Sequence, residues 1–128
     1  MPKAPNLAKL AKLNGIYNVA ALDAVGCGMR SAAALFEKTA KTGIDRHLTA
    51  AQLVEGVADH AAEQYGLLGD LVLAECGIRS GEDVGAITFF MIEQGVYSKQ
   101  PDDRPEDFLT GPELQVAVTA AVRRRLGV

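Results

Sequence analysis

The sequence contains no tryptophan, and its aromatic residues are three tyrosines and four phenylalanines. Alanine and leucine are abundant, and this mixture favours helices over sheets. No apolar run approaches the roughly 20 residues that a helix needs to span a bilayer. Residues 1–5, MPKAP, lack the apolar core of a secretory signal peptide. We therefore expect a cytoplasmic protein that is not embedded in a membrane.

Cysteine and histidine are also scarce, with two residues of each. Cys27 and Cys76 form no Cys-x-x-Cys pair and lie among small or apolar residues. We expect two buried free thiols, and a disulfide or a redox role is the alternative. A zinc site needs about four nitrogen or sulfur ligands, and the scattered spacing of these cysteines with His47 and His60 does not indicate one. We expect no catalytic residue, no metal and no cofactor, and hence not an enzyme.

The chain has 128 residues, of which 48% are hydrophobic and 23% charged. This length is enough for one domain with a buried core, and the composition is typical of a soluble globular protein. No repeat, low-complexity tract or long linker interrupts it. We predict a single domain over residues 1–128, with a basic N-terminal segment (1–15), a core (16–110) and a C-terminal helix (111–128).

Apolar residues recur at helical spacing along most of the chain, which predicts a mainly α, compact domain of about six helices. Asn18 is expected to cap a long helix that continues to about Lys41. Within that helix, Gly26 and Gly28 each weaken the helix by about 1 kcal/mol relative to alanine. We expect that a neighbouring helix approaches closely at these glycines and compensates for the loss.

Two further helices are predicted in the middle of the chain. Thr49 and Gln52 have the spacing of a capping box and begin the first of them. This helix ends at Gly66, and Tyr65 is expected to face inward. Residues 67–75 form a shorter, strongly apolar helix that we expect to be buried.

The stretch from residue 76 to residue 108 has the clearest local signals. Ser80 and Asp83 form a variant of the capping box, with aspartate in place of glutamate or glutamine. We expect Arg79 to form an ion pair with Asp83 or another acid, and a contact with a partner is the alternative. A minor β element is predicted from three short extended segments, near residues 46–48, 96–99 and 106–109.

An acidic row is formed by Glu55, Asp59 and Glu63, which recur at every fourth position of a predicted helix. Hard divalent cations need about six or more oxygen ligands from a folded loop, and a single helix face supplies too few. We therefore interpret the row as a solvated helix face.

Five short motifs carry a resemblance to a known family. They are GIRS (77–80) with Asp83, IEQGVYSK (92–99), RPEDF (104–108), RHLTAAQLVEG (46–56) and QYG (64–66). These motifs are similar to those of a small bacterial family of uncharacterised proteins, named by a locus tag from an acidophilic verrucomicrobial methanotroph. The likeness covers residues 16–110, and the tail with arginines at 123–125 has no expected counterpart. The resemblance implies one compact domain and implies no activity, cofactor or catalytic residue.

We interpret the chain as a non-catalytic protein-interaction or adaptor module that acts through a partner protein or through self-association. Aromatic and charged side chains mixed at a rim are typical of interfaces. The candidate interaction patch consists of Arg79, Tyr97, Lys99, Arg104 and Phe108.

The alternative is a winged-helix-like nucleic-acid-binding or regulatory protein, because the order of helices and short segments would match that fold. Charge disfavours it, since residues 80–108 hold two cations against seven carboxylates, whereas a DNA-binding surface needs a basic footprint. RNA or the ribosome, contacted through the basic termini, is a further alternative. The cations there are Lys3, Lys9, Lys12 and the arginines at 123–125.

Overall fold

The structure is a computed structural model that describes residues 5–36, 48–98 and 104–128. Its helices are α1 (Leu7–Asn14), α2 (Val19–Leu35), α3 (Ala50–Tyr65), α4 (Gly69–Glu75), α5 (Gly81–Glu93) and α6 (Leu114–Leu126). Short 3-10 turns cover Gly66–Leu68 and Pro105–Phe108. The prediction of a mainly α fold is confirmed. The predicted total of about six helices stays a prediction, because residues 1–4, 37–47 and 99–103 lie outside the described ranges.

Two of the helix starts that the sequence predicted, at Asn18 and Thr49, are present, whereas the C-terminal helix begins at Leu114 and not at residue 111. The Asn18 side chain accepts a hydrogen bond from the backbone N–H of Ala21 at 2.9 Å and caps α2. Thr49 and Gln52 form the reciprocal capping box of α3, with N–O distances of 3.0 and 3.1 Å. The end of α2 is different from the prediction, because the helix stops at Leu35, before the expected end.

The predicted minor β element is not found in the part of the chain that the structure describes. After α5, the backbone N–H groups of Val96 and Tyr97 donate to the carbonyl of Met91, at 2.9 and 3.3 Å. These donors complete the C-terminal cap of the helix and therefore do not pair with a strand. Residues 106–108 lie in the 3-10 turn Pro105–Phe108 and are not extended. Residues 46, 47 and 99 of the predicted segments lie outside the described ranges.

Helix α3 is central, since it packs against α2, α4, α5 and α6. Its contact with α2 is made at glycines. A Cβ atom at Gly28 would lie 2.7 Å from the Cα of Val57, and one at Gly56 would lie 2.7 Å from the backbone nitrogen of Ala32. The close helix approach is thus confirmed at Gly28. The predicted close approach is wrong for Gly26, where a Cβ would meet only the Tyr97 hydroxyl, at the ordinary van der Waals distance of 3.5 Å.

The segment 104–113, which leads to α6, packs on α5 through Phe108. Its ring lies over Gly85, where a Cβ would be 2.7 Å from the ring carbon Cγ. The ring of Phe89 meets Phe108 edge-on, with centroids 6.1 Å apart and an interplanar angle of 86°. Residues 108–113 are thereby held across the start of α5 and lead into α6.

A hydrogen-bonded carboxylate joins the start of the chain to α5. The Tyr17 hydroxyl donates to Asp83 at 2.6 Å, and the backbone N–H of Arg79 donates to the other carboxylate oxygen at 2.8 Å. The predicted capping box of Ser80 and Asp83 is not formed, because the Ser80 side chain makes no cap hydrogen bond. The ion pair predicted for Arg79 does not involve Asp83, since this carboxylate accepts a hydrogen bond from the backbone N–H of Arg79 and not from its guanidinium.

Tyr17 gives this contact a pH dependence. Burial raises the pKa of Tyr17 from 10.0 to about 12, with further contributions from the hydrogen bond and the negative charge of Asp83. A raised pKa means that the folded state favours the neutral phenol. The stabilisation is therefore fully present below pH 10 and is lost as the pH rises toward about 12.

We expect Tyr17→Phe to lower the free energy of unfolding by about 1 kcal/mol at neutral pH, because the hydrogen bond to a charged carboxylate is lost. The variant should also lose less stability than the wild type between pH 10 and 12. Urea unfolding at several pH values measures both effects, with Tyr65→Phe, an exposed tyrosine, as the control. Parallel alkaline profiles for Tyr17→Phe and the wild type would contradict the assignment.

Candidate functional site

Four large apolar side chains follow one another at the C-terminal end of α3 and are exposed. They are Tyr65, Leu67, Leu68 and Leu71, with exposed fractions of 49%, 64%, 61% and 59%. We call this set the leucine surface. Leu68 and Leu71 are three positions apart, and Leu67 and Leu71 are four apart, which places neighbouring side chains on one face. Single exposed apolar residues are ordinary in proteins, whereas contiguous apolar patches larger than a few hundred Å² are typical of interaction sites.

The leucine surface overturns two expectations from the sequence. Residues 67–75 are not buried as a whole, and Tyr65 does not face inward. The reason is that α4 contacts the core on one side only, through Gly69 and Leu73. A Cβ at Gly69 would lie 3.0 Å from both the backbone of Ala61 and the side chain of Val118. This side of α4 faces α3 and α6, and its opposite side is left in solvent.

Asp59 is a buried carboxylate and not part of a solvated face. It is 6% exposed and accepts two hydrogen bonds from Arg125, at 3.1 Å from Nε and 2.7 Å from Nη2. Arg124 lies 3.5 Å from the same carboxylate, and Arg125 also reaches Glu63 at 3.3 Å. The hydrogen bond to Asp59 raises the pKa of the Arg125 guanidinium.

This ion-pair cluster changes the interpretation of the basic C-terminal end. Two of the arginines at 123–125 are directed to acids of α3, so their charge is balanced within the chain. They attach α6 to α3 through the buried carboxylate of Asp59. The cluster therefore serves the fold, and an RNA or ribosome contact through these side chains would have to compete with it.

A groove lies at the other end of α3, where the starts of α3, α5 and α6 meet. Its volume is about 230 Å³. Its walls are Ala51, Val54 and Glu55 of α3, residues 80–82, residues 108–113, and Ala117 of α6. The described residues that line it include three glutamates, Glu55, Glu82 and Glu113, and no lysine, arginine or histidine. We call it the acidic groove.

The candidate interaction patch from the sequence is not brought together as one surface. Arg79 precedes α5 and is exposed, whereas Tyr97 follows the other end of α5 and is half-buried beside Gly26 of α2. Helix α5 spans 13 residues, so these ends are about 20 Å apart. Burial raises the pKa of the Tyr97 hydroxyl.

The expectation of an exposed ring at Phe108 is wrong, because the ring fills the space above Gly85 and is 7% exposed. Arg104 is exposed, at the edge of the described range. Lys99 lies outside the described residues. Phe108 is nevertheless close to a site, since it forms part of the acidic groove.

The cysteines and histidines form no shared centre in the described ranges. Cys27 and Cys76 are free thiols, as predicted, but both are half-buried and not fully buried. The Cys27 sulfur accepts a hydrogen bond from Arg30 at 3.2 Å. His60 is half-buried on α3, and His47 lies outside the described residues. Within those residues, no three His, Cys, Asp or Glu side chains are grouped closely enough to hold a metal ion.

Across residues 5–36, 48–98 and 104–128, no helix combines the length and the apolar character needed to cross a membrane. Comparison of the chain with protein-family models, curated proteins and solved structures found no match. The family resemblance of the five motifs stays a prediction. A functional proposal for this chain rests on its leucine surface and its acidic groove.

Proposed function

We propose that the protein is a non-catalytic interaction module that pairs with a second copy of itself through the leucine surface. The observation that carries this proposal is the exposure of four large apolar side chains within residues 65–71, each between 49% and 64%. Water around contiguous apolar surface favours its burial against another apolar surface. Monomeric proteins rarely expose contiguous apolar patches larger than a few hundred Å².

Charge supports a second copy as the occupant. Glu63 and Asp70 flank the leucine surface along the chain, and Glu63 is already paired with Arg125 of α6. Arg124 and Arg125 are also paired with Asp59. In a two-fold dimer the same patch meets itself. A margin whose charges are largely balanced within the chain meets its own copy with little like-charge repulsion.

The dimer should be weak. Each leucine that becomes buried contributes roughly 1 kcal/mol, because about half of its surface is already covered in the monomer. Association loses translational and rotational freedom, which offsets much of this gain. We therefore expect a dissociation constant on the order of millimolar.

Sedimentation equilibrium over a concentration series tests the proposal. We expect the average mass of the wild type to rise toward twice the chain mass of 13.5 kDa. Leu68→Gln/Leu71→Gln should stay monomeric up to at least about tenfold higher concentration, because two apolar contacts are lost on each side of the two-fold axis.

Leu13→Gln is the matched control, since Leu13 is 64% exposed but lies on α1, outside the leucine surface. It should dimerise as the wild type does, and circular dichroism should show all variants folded. A wild-type mass that stays monomeric at every concentration would overturn the proposal. Equal weakening by Leu13→Gln would remove the leucine surface as the contact.

A further inference from the structure

We infer that the acidic groove binds an arginine side chain presented by a basic segment of a partner protein. The acidic groove and the leucine surface lie at opposite ends of α3, so this inference is independent of the proposed self-association. The groove has the size, the apolar floor and the anionic rim that such a side chain needs.

The size of the groove fits a side chain. Its volume of about 230 Å³ is smaller than the roughly 300–1,000 Å³ of pockets that hold drug-sized ligands or cofactors. Gly81 and the backbone of Phe108 approach closely in its wall, since a Cβ at Gly81 would lie 2.8 Å from the carbonyl oxygen of Phe108. Residues 109–113 of the lining are exposed, so the groove is open to an occupant from solvent.

The floor of the groove is apolar. Val54 of α3, Phe108 and Ala117 of α6 supply it, and Leu109, which is 61% exposed, forms part of the entrance. Long cationic side chains place their methylene stems along apolar surface and keep the charged end at a polar rim. An anionic or wholly apolar occupant would not use both parts of this lining.

The rim is anionic, and its carboxylates come from three separate elements. Glu55 lies in α3, Glu82 in the first turn of α5, and Glu113 immediately before α6. A cation at this place reduces the repulsion among the three carboxylates. A guanidinium is favoured over an ammonium, because its planar fork of donors can bind two carboxylates at once.

A purely structural role accounts for part of this arrangement. Negative charge near a helix N-terminus is stabilising, which explains Glu82 and Glu113. It does not explain Glu55, which lies beyond the first turn of α3. The structural role predicts that loss of these charges changes stability only, whereas the groove proposal predicts a change in arginine binding.

The probe is a short acetylated and amidated peptide with one central arginine between leucine and alanine residues. It is compared with the same peptide carrying citrulline, which has nearly the same shape and no charge. In a titration of the isotope-labelled full chain followed by NMR, the arginine peptide should shift the amide signals of residues 80–82 and 109–113. The citrulline peptide should bind at least about tenfold more weakly, because the charged hydrogen bonds are lost.

Two variants test the groove itself. Glu55→Gln/Glu82→Gln should weaken arginine-peptide binding by about tenfold. The control Glu75→Gln/Glu93→Gln removes the same charge from exposed positions outside the groove and should bind within about twofold of the wild type. Ala51→Leu fills the groove from an exposed position without changing charge, and it should also weaken binding.

The outcomes separate the alternatives. Equal affinity for the arginine and citrulline peptides would overturn the inference, as would shifts confined to residues outside the groove. Equal weakening by the control variant would show attraction to overall negative charge and would also overturn it. Leu68→Gln/Leu71→Gln should bind the arginine peptide like the wild type, so a failure of the dimer proposal and a failure of this one are distinguishable.

Discussion

Gly28→Ala is expected to lower the free energy of unfolding by about 3 kcal/mol or more, because α2 and α3 touch through their backbones at this point. A Cβ at Gly28 would lie 2.7 Å from the Cα and 2.9 Å from the nitrogen of Val57. Backbone atoms cannot turn away as a flexible side chain can, so the two helices would have to separate. Urea unfolding followed by circular dichroism measures the loss.

Gly26→Ala is the matched control, two residues earlier on the same helix. Its new Cβ would meet only the Tyr97 hydroxyl at 3.5 Å, which is an ordinary contact. Because alanine is a better helix former than glycine, this variant should be more stable than the wild type by about 0.5–1 kcal/mol. If both glycines tolerated alanine equally well, the close α2–α3 contact would be disproved.

Arg124→Gln/Arg125→Gln is expected to destabilise the fold by about 3 kcal/mol, because it leaves the buried carboxylate of Asp59 without its cations. Asp59 is 6% exposed, and water reaches it poorly. The exposed neighbour Arg123 serves as the control, and Arg123→Gln should change stability by less than about 0.5 kcal/mol. The measurement is again the free energy of unfolding in urea.

Removal of the carboxylate from the ion-pair cluster should destabilise the fold less than removal of its two arginines. Asp59→Asn leaves two arginines that are 44% and 38% exposed and can turn to solvent, so we expect a loss of only about 1–2 kcal/mol. In the Asp59→Asn background, removing the arginines should cost less than about 1 kcal/mol further. Additive losses in this double-mutant cycle would show that the arginines and Asp59 do not depend on each other.

Local signals in the sequence predicted local structure well. The caps at Asn18 and Thr49 were predictable because each one joins residues three positions apart. The close helix approach at Gly28 was predictable because a glycine in a helix interior lowers stability unless a neighbour uses the space. The same argument was wrong at Gly26, since the sequence does not say which side of α2 faces α3.

The proposed interaction surfaces depend on contacts between distant parts of the chain. No short sequence pattern indicates which distant residues come into contact. Asp59 and Arg125 are 66 positions apart, so the acidic row was interpreted as solvated. The spacing of Leu67, Leu68 and Leu71 in the sequence is the same whether the rest of the fold covers both sides of α4 or only one, so it does not predict their exposure. The segment after α5 alternates over too few residues to indicate a strand, and the carbonyl of Met91 takes its donors instead.

The central position of α3 has a geometric consequence for the two proposed sites. The acidic groove uses Ala51 near its first residue, and the leucine surface begins with Tyr65 at its last. At about 1.5 Å per residue, an α-helix keeps these positions roughly 20 Å apart. The backbone contact between Gly28 and Val57 resists bending of α3 against α2. A molecule bound at each end would thus be held at a fixed spacing, and the chain would act as a rigid spacer between them.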